Sequence, residues 1–308
     1  MDIHHIRYFL AVCDTLNFTR AAELCNVTQP ALSRAIQQLE DEIGGLMLRR
    51  ERNLTHLTDL GQLMRPRLQA IADEINDVQR EIKKFQTADQ SHLNLGVLRS
   101  IGPRRLAGFL GSFGLSHPEY HLRLCEGMPE DFDQKLSSGE IDAAIMARPG
   151  QFPAGFDAQS LYRERFLIAF SAGHRFAEMT AIPFAELDGE TYLRRLTCEF
   201  RGYLAGEIKS QGCALNVCFQ SDREDWILNM VAGGMGICFI PEFSAVVPGI
   251  LTRPVVQPAI WREVCLVTKA SHTPNAELIN LTQALKAHPW PDSRFVSEPA
   301  GALSASAG

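Results

Sequence analysis

The chain has 308 residues, a formal net charge of −6 and 45% hydrophobic residues, the make-up of a globular protein of roughly two or three compact units. Its bulk charge argues against a protein that coats nucleic acid indiscriminately, and its longest apolar runs, residues 9–13 and 236–241, are too short to span a bilayer. The eight cysteines are scattered with no Cys-x-x-Cys pair, which argues against a zinc knuckle or a disulfide scaffold, and the N-terminus lacks a secretory pattern, so a cytoplasmic protein is expected.

Taken in chain order, residues 18–40 read as two short helices joined by a tight turn. Ala21, Ala22 and Leu24 give the first an apolar face, and Asn26 and Val27 make the turn. Thr28 is a good N-cap, and Pro30 is tolerated in the first helical turn, where its missing N–H costs nothing. Leu32, Ile36 and Leu39 fall on one side of the second helix. Gln29, Ser33, Arg34 and Gln37 fall on the other, as side chains that can reach base edges or phosphates in a major groove. A wing with Arg49, Arg50 and Arg52 follows. Residues 1–58 hold six arginines, no lysine and seven acids. Positive charge is therefore placed at particular positions, which suits a reader of specific sites.

Thr58 can cap a long helix over about 59–84. Met64, Leu68, Ile71, Ile75, Val78, Ile82 and Phe85 recur with alternating four- and three-residue spacing, a heptad seam suited to pairing with a second copy. Packing on its own domain is the alternative. Residues 86–91 are polar and mark a boundary. Beyond them strands are expected at 93–98, 121–125 and 141–146, with helices at 103–116 and 129–136 between, an order that implies a parallel sheet with crossover helices. A second set follows: a strand at 166–170, a helix from Cys198 to Gln211, a strand at 217–220, a helix at 222–232 and a strand at 237–240. A strand at 263–268 and a helix at 275–287 close the α/β region. The glycines at 233–236 precede a strand instead of opening a helix, so they form no phosphate cradle.

The residues Phe9, Phe18, Ala21-Ala22, Leu24, Val27 through Ser33, Ile36, Leu39-Glu40, Gly44, Arg50, Leu57-Thr58 and Gly61 carry a resemblance to the LysR-type transcriptional regulators. The specific motif lies in the first 61 residues, and a Leu-Phe pair usual in the wing is Met47-Leu48 here. The resemblance implies a winged helix-turn-helix DNA-binding domain at 1–58, a dimerising linker helix at 59–88 and a regulatory domain at 91–295. That domain would have two lobes resembling the periplasmic binding proteins, about 91–160 with 266–290 and about 161–265, before a disordered tail at 296–308. It further implies a homodimer, commonly assembled into a homotetramer, acting on a double-stranded DNA operator, with contact to RNA polymerase and with no cofactor, metal or membrane.

Ligands of such α/β sheets sit beyond the carboxyl ends of strands. That picks out Arg99, Ser100, Ile101 and Gly102, then Met128 and Pro129, Arg148, and Thr197, Cys198, Glu199 and Arg201. Around Ser100 a helix N-terminus could hold an organic carboxylate, or the hydroxyl could simply cap its own helix. Cys198, at the start of a helix capped by Thr197 and near Arg194, Arg195 and Arg201, should have a lowered thiol pKa, with Glu199 opposing. Gly96–Pro103, Glu126–Asp142 and Asn229–Pro241 look most like the peroxide-sensing OxyR branch, in which a redox-active cysteine falls where Cys198 stands. The resolving cysteine of that branch would fall near Glu207 and is missing, Cys213 and Cys218 being the nearest substitutes. Ser221 through Asp225 with Arg148 could complete a polar pocket, or mark a solvated helix start. A regulator controlled by a small organic effector is therefore expected. Thiol-based oxidant sensing through Cys198 is the alternative, and a solute-binding or enzymatic α/β module with a helix-turn-helix appendage is the alternative of another class. No catalytic residue is expected: the chain has no Gly-x-Ser-x-Gly elbow, His-Glu-x-x-His or Walker loop.

Overall fold

The computed structural model describes residues 1–51, 54–86, 91–244, 247–270, 274–290 and 293, so Arg52 and the expected tail lie outside the described residues. The chain divides into two units, 1–88 and 89–308. Among the described residues no helix is long and apolar enough to cross a membrane.

The first unit packs α1 (Ile3–Thr15), α2 (Phe18–Leu24) and α3 (Gln29–Ile43) around a small apolar core, with a hairpin of β1 (Leu48–Glu51) and β2 (Leu54–Leu57) and the helix α4 (Asp59–Gln86). Phe9, Ala21, Leu32 and Leu39 are fully buried there. Asn17 caps α2 by accepting from the amides of Thr19 and Arg20 at 2.9 and 3.0 Å. Leu24 departs from expectation. At the last position of α2 it is 66% exposed, because the helix is short and its small residues Ala21 and Ala22 already fill the contact.

The heptad seam also divides. Leu68 is fully buried in the core of its own unit, with Met64 packed against it, whereas Ile71, Val78 and Ile82 are exposed. The N-terminal part of α4 thus serves its own domain. Along the seam it is the later positions that stay uncovered among the described residues, although Leu63, off the seam, is exposed as well.

In the second unit, β3 (Ser91–Leu98) pairs in parallel with β4 (Tyr120–Gly127) and β5 (Ala143–Met146), as the βαβ pattern requires. The helices α5 (Pro103–Ser116) and α6 (Pro129–Ser138) make the crossovers. The sheet then turns mixed. The sixteen-residue β6 (Phe156–Ser171) pairs antiparallel with β12 (Trp261–Lys269) along Phe156–Arg165. From Phe166 onward it pairs instead with β10 (Cys238–Pro241) and β11 (Ile250–Val256). One strand thereby joins two lobes. The strand expected at 166–170 is only its end, because alternation over 156–165 is broken by Asp157, Arg163, Glu164 and Arg165, the last two of which the structure buries.

The second lobe holds β7 (Ile182–Pro183), β8 (Thr191–Arg195), α7 (Arg201–Ser210), β9 (Asn216–Ser221) and α8 (Glu224–Ala232). Sequence reading misses β7, β8 and β11. Each carries a Pro, a charged pair or a Thr-Arg step that hides the apolar period. The helix α9 (Ala276–Ala287) is capped by Asn275, which accepts from the Leu278 amide at 2.8 Å.

Candidate functional site

Two polar constellations stand out, one in each unit. In the first, Thr28 caps α3 by accepting from the Ala31 amide, and Pro30 sits in the first turn. The buried stripe of Leu32, Ile36 and Leu39 turns the opposite side outward. There Pro30, Arg34 and Gln37 are exposed, while Gln29 donates to the Ser33 hydroxyl at 3.0 Å, both half-buried. That hydrogen bond links two side chains one helical turn apart on α3.

The wing is fastened to this helix by a residue valued in the sequence only as part of the motif. The buried Glu40 carboxylate accepts from the amides of Met47 and Leu48 at 2.7 and 2.9 Å. Thr58 donates to the Leu46 carbonyl at 2.6 Å and accepts from the Gly61 amide at 3.0 Å. Gly61 must be glycine, since a Cβ would stand 2.1 Å from the Met47 carbonyl oxygen. Arg49 is exposed on β1 and Arg50 follows it on the same strand.

The second constellation lies at the carboxyl end of β3, and it is occupied by the protein itself. Ser100, 1% exposed, does not cap α5, whose N-cap is Gly102 with no side-chain bond. Its hydroxyl instead donates to Glu199 at 2.8 Å and accepts from Arg262. Arg262 also donates to the Ser100 carbonyl at 2.9 Å, to Glu164 at 2.7 Å, and to the second Glu199 oxygen. The side chains of Arg262 and Glu199 are 0% exposed. Burial penalises the Arg262 charge, but Glu164 and Glu199 outweigh it and raise its pKa. Two carboxylates, one guanidinium and one hydroxyl therefore clasp the loop after β3 to the loop before α7 and to the paired strands β6 and β12.

A further layer sits behind this clasp. Ser244 donates to the Ser100 carbonyl at 2.6 Å, and Glu164 accepts from the Phe243 amide at 3.1 Å. The Arg105 guanidinium lies 3.7 Å over the Phe243 ring and 4.5 Å over that of Tyr162. Gly102 has no room for a side chain, because a Cβ would stand 2.3 Å from the Phe243 carbonyl oxygen. Arg99 is exposed and Ile101 buried in the same turn.

Three expectations need correction. Cys198 is not in a helix: α7 starts at Arg201 with Phe200 as N-cap, and Thr197 donates to the Asp222 carbonyl instead of capping. Nor is its thiol activated. Burial raises the Cys198 pKa, and the opposing pull of Arg195 does not overcome it. Arg148 does not join Ser221–Asp225. It donates to Asp133 at 2.6 Å and to the Pro129 carbonyl at 3.4 Å, beside the Met128 turn. Meanwhile Arg223 and Asp225 pair with each other in solvent, and Glu224 turns inward to the buried Arg195. Arg201 is exposed and donates to the Leu196 carbonyl. All eight cysteines are free thiols, with Cys213 half-buried and Cys218 exposed. Sequence reading missed Glu164 and Arg262 altogether. A lone Glu and a lone Arg in two strand segments carry no local signal.

Comparison with known proteins covers both constellations. Residues 3–62 match the bacterial regulatory helix-turn-helix model of the lysR family, and residues 86–290 match the LysR substrate binding domain. A hydrogen peroxide-inducible genes activator of Haemophilus influenzae is 29% identical over 281 residues, 87% of this chain and 90% of that protein. The DNA-binding transcriptional dual regulator OxyR of Escherichia coli K12 is 27% identical over 293 residues, 93% of this chain and 95% of that protein. Among solved structures, a full-length OxyR variant from Pseudomonas aeruginosa matches with a TM-score of 0.57 and 26% identity, covering 93% of this chain and 98% of that one.

Proposed function

We propose, for a chain that belongs to the LysR family of transcriptional regulators, that its signal is a small organic acid read where Ser100, Glu199 and Arg262 meet. The observation that carries this reading is the filled carboxylate position: Glu199 accepts from both Ser100 and Arg262 while wholly buried. An external carboxylate of similar size can take the same two donors and keep the charge balance around Arg262. Glu199 would then leave the crevice with the loop before α7, and the two lobes would settle at a new angle. A ligand shifts such an equilibrium only through its different affinity for the two arrangements. Competition with an internal carboxylate supplies that difference.

Thr28, Gln29, Pro30, Ser33, Arg34 and Gln37, with Arg49, Arg50 and Arg52 of the wing, are assigned to operator contact. Residues 59–88 are assigned to dimerisation. The working particle is a homodimer or homotetramer in the cytoplasm, in contact with RNA polymerase at its promoters.

A second reading has a specific observation behind it. Two relatives carry names that refer to hydrogen peroxide or to OxyR, and Cys198 adjoins Glu199 at the clasp. In this reading oxidation of the Cys198 thiol adds a polar oxygen to a buried site and forces the loop out. Gel-shift with the protein's upstream DNA separates the two, using a panel of short organic acids in one arm and peroxide with reductant in the other. The effector reading expects acids to alter the shift in the parent and in Cys198→Ser, but not in Ser100→Ala. A response to peroxide alone, lost in Cys198→Ser, would establish the second reading and overturn the first.

A further inference from the structure

The second lobe carries a cavity that the clasp does not use. It has a volume of about 370 Å³ and lies beneath α7, against β8 and β9. Small-molecule sites occupy on the order of 300–1,000 Å³. Tyr192, Leu204, Ile208, Leu215, Val217 and Phe239 supply its apolar wall. Three guanidinium side chains, Arg194, Arg195 and Arg201, also line it, with no acidic residue among the lining residues. Arg194 and Arg201 are exposed at the rim. Arg195 is 2% exposed, and although it donates to Glu224 and to the Phe239 carbonyl, its Nε is buried with no hydrogen-bond partner.

A second observation concerns the roof. Leu204 is the only buried residue of α7. Tyr203 and Ile208 are only half-buried against the core, so this ten-residue helix is lightly anchored over the cavity, whose wall lacks partner atoms and loses their dispersion contacts. Filling the space would add those contacts and fasten the helix. Cys198 lines the same cavity, so an occupant would also touch the loop that carries Glu199 to the clasp.

We propose that this cavity is a second binding site, for an amphipathic monocarboxylate whose apolar body lies under α7 and whose carboxylate meets the arginine rim. The site is separate from the crevice at Ser100 and does not depend on the nature of the signal read there. Its occupant acts on the loop 196–200 from below, through Cys198 and Leu204, and stabilises the lobe in which Glu199 is held. The apolar wall selects for chain or ring, and the arginines select for negative charge over an alcohol or an amine.

The test is isothermal titration of the full-length protein with octanoate, octan-1-ol and acetate as probes. Octanoate is expected to bind saturably at one site per chain, at least tenfold more tightly than either control. Arg194→Gln should weaken octanoate at least tenfold. Ala205→Trp, which fills the cavity from an exposed position of α7, should abolish it. Binding that survives Ala205→Trp with its affinity intact would put the ligand outside the cavity and overturn the proposal. Equal affinity for octanoate and octan-1-ol would overturn the role of the arginines, and absence of saturable binding would overturn the site.

Discussion

The outward face of α3 and the clasp around Arg262 present polar side chains in opposite ways. On α3 the side chains of Arg34 and Gln37 point to solvent, and their backbone is held by a cap and an apolar stripe that lie within the same fifteen-residue helix. At the clasp every polar atom is spent on another part of the same chain. Its partners are 63, 98, 99 and 162 residues apart in sequence. A surface built to meet DNA can leave its donors to water until the partner arrives. A buried site cannot, because an unpaired charge there costs several kcal/mol. The crevice therefore closes its donors and acceptors on one another, whereas α3 leaves Arg34 and Gln37 open to solvent.

This difference can be broken by exchanging what each region should lose. Ser33→Ala with Arg34→Ala is expected to have the largest effect on function. Each lost base contact costs about 1–3 kcal/mol, and a dimer loses it twice. Operator affinity by fluorescence anisotropy should collapse while the thermal midpoint stays within experimental scatter. A parallel fall in stability would mean the face is structural. Arg262→Met should do the reverse in kind. It strands Glu164 and Glu199 in the interior and costs about 3–5 kcal/mol, which lowers the unfolding midpoint of the second unit by roughly 10 °C. A midpoint equal to that of the parent would mean that the clasp contributes no net stability.

The next effect is smaller and concerns α4. Val78→Asp or Ile82→Asp changes a residue that is exposed within its own chain, so either substitution should leave the fold intact. In sedimentation it should nevertheless shift the protein to smaller species, because a charge enters the seam against a second copy. Leu68→Asp should instead unfold the first unit, since Leu68 belongs to its core. If both classes of variant sediment like the parent, the seam has no partner.

The smallest effect is on pH dependence. Burial pushes the Cys238 thiol up to about 12, against roughly 8.5 in an unfolded chain. Below about pH 8 the thiol is neutral in both states and its contribution is constant. As pH rises toward 12 the unfolded chain ionises first, so that contribution declines. The stability difference between the parent and Cys238→Ala, measured by urea unfolding, should therefore be flat from pH 6 to 8 and shrink above about pH 9. A difference that grows with alkali would contradict the buried, neutral thiol.

The contrast also explains what could be read from sequence. The helix-turn-helix was legible because cap, turn and apolar stripe are local: Thr28, Val27 and Leu32 with Ile36 are all within one or two turns of each other. The order of α5, α6 and the parallel strands was legible from the alternation of periods. The heptad on α4 was visible too, but spacing could not tell Leu68, which packs inward, from Val78, which does not. The strands β8 and β11 were missed because Arg194-Arg195 and Thr252-Arg253-Pro254 break their alternation. At the crevice, Ser100 and Glu199 were both picked from the ends of strands, and the structure joins them by a hydrogen bond. Their joining to Arg262 and Glu164 depends on contacts between distant segments and had no local mark. The same holds for Cys198: the nearby arginines are in the sequence, but the burial that outweighs them is not.

The central claim is that the Glu199 carboxylate occupies a site made for a carboxylate. Its most direct measurement is chemical rescue of Glu199→Ala, followed by thermal unfolding in propionate, with propionamide as the uncharged control. The variant is expected to be destabilised, and propionate to restore its midpoint saturably. Propionamide should not, and Glu199→Ala combined with Arg262→Met should not respond to propionate; the parent, whose own Glu199 competes for the site, should need a far higher propionate concentration for any shift. A midpoint that does not move with propionate, or that moves equally in the parent, would contradict the account.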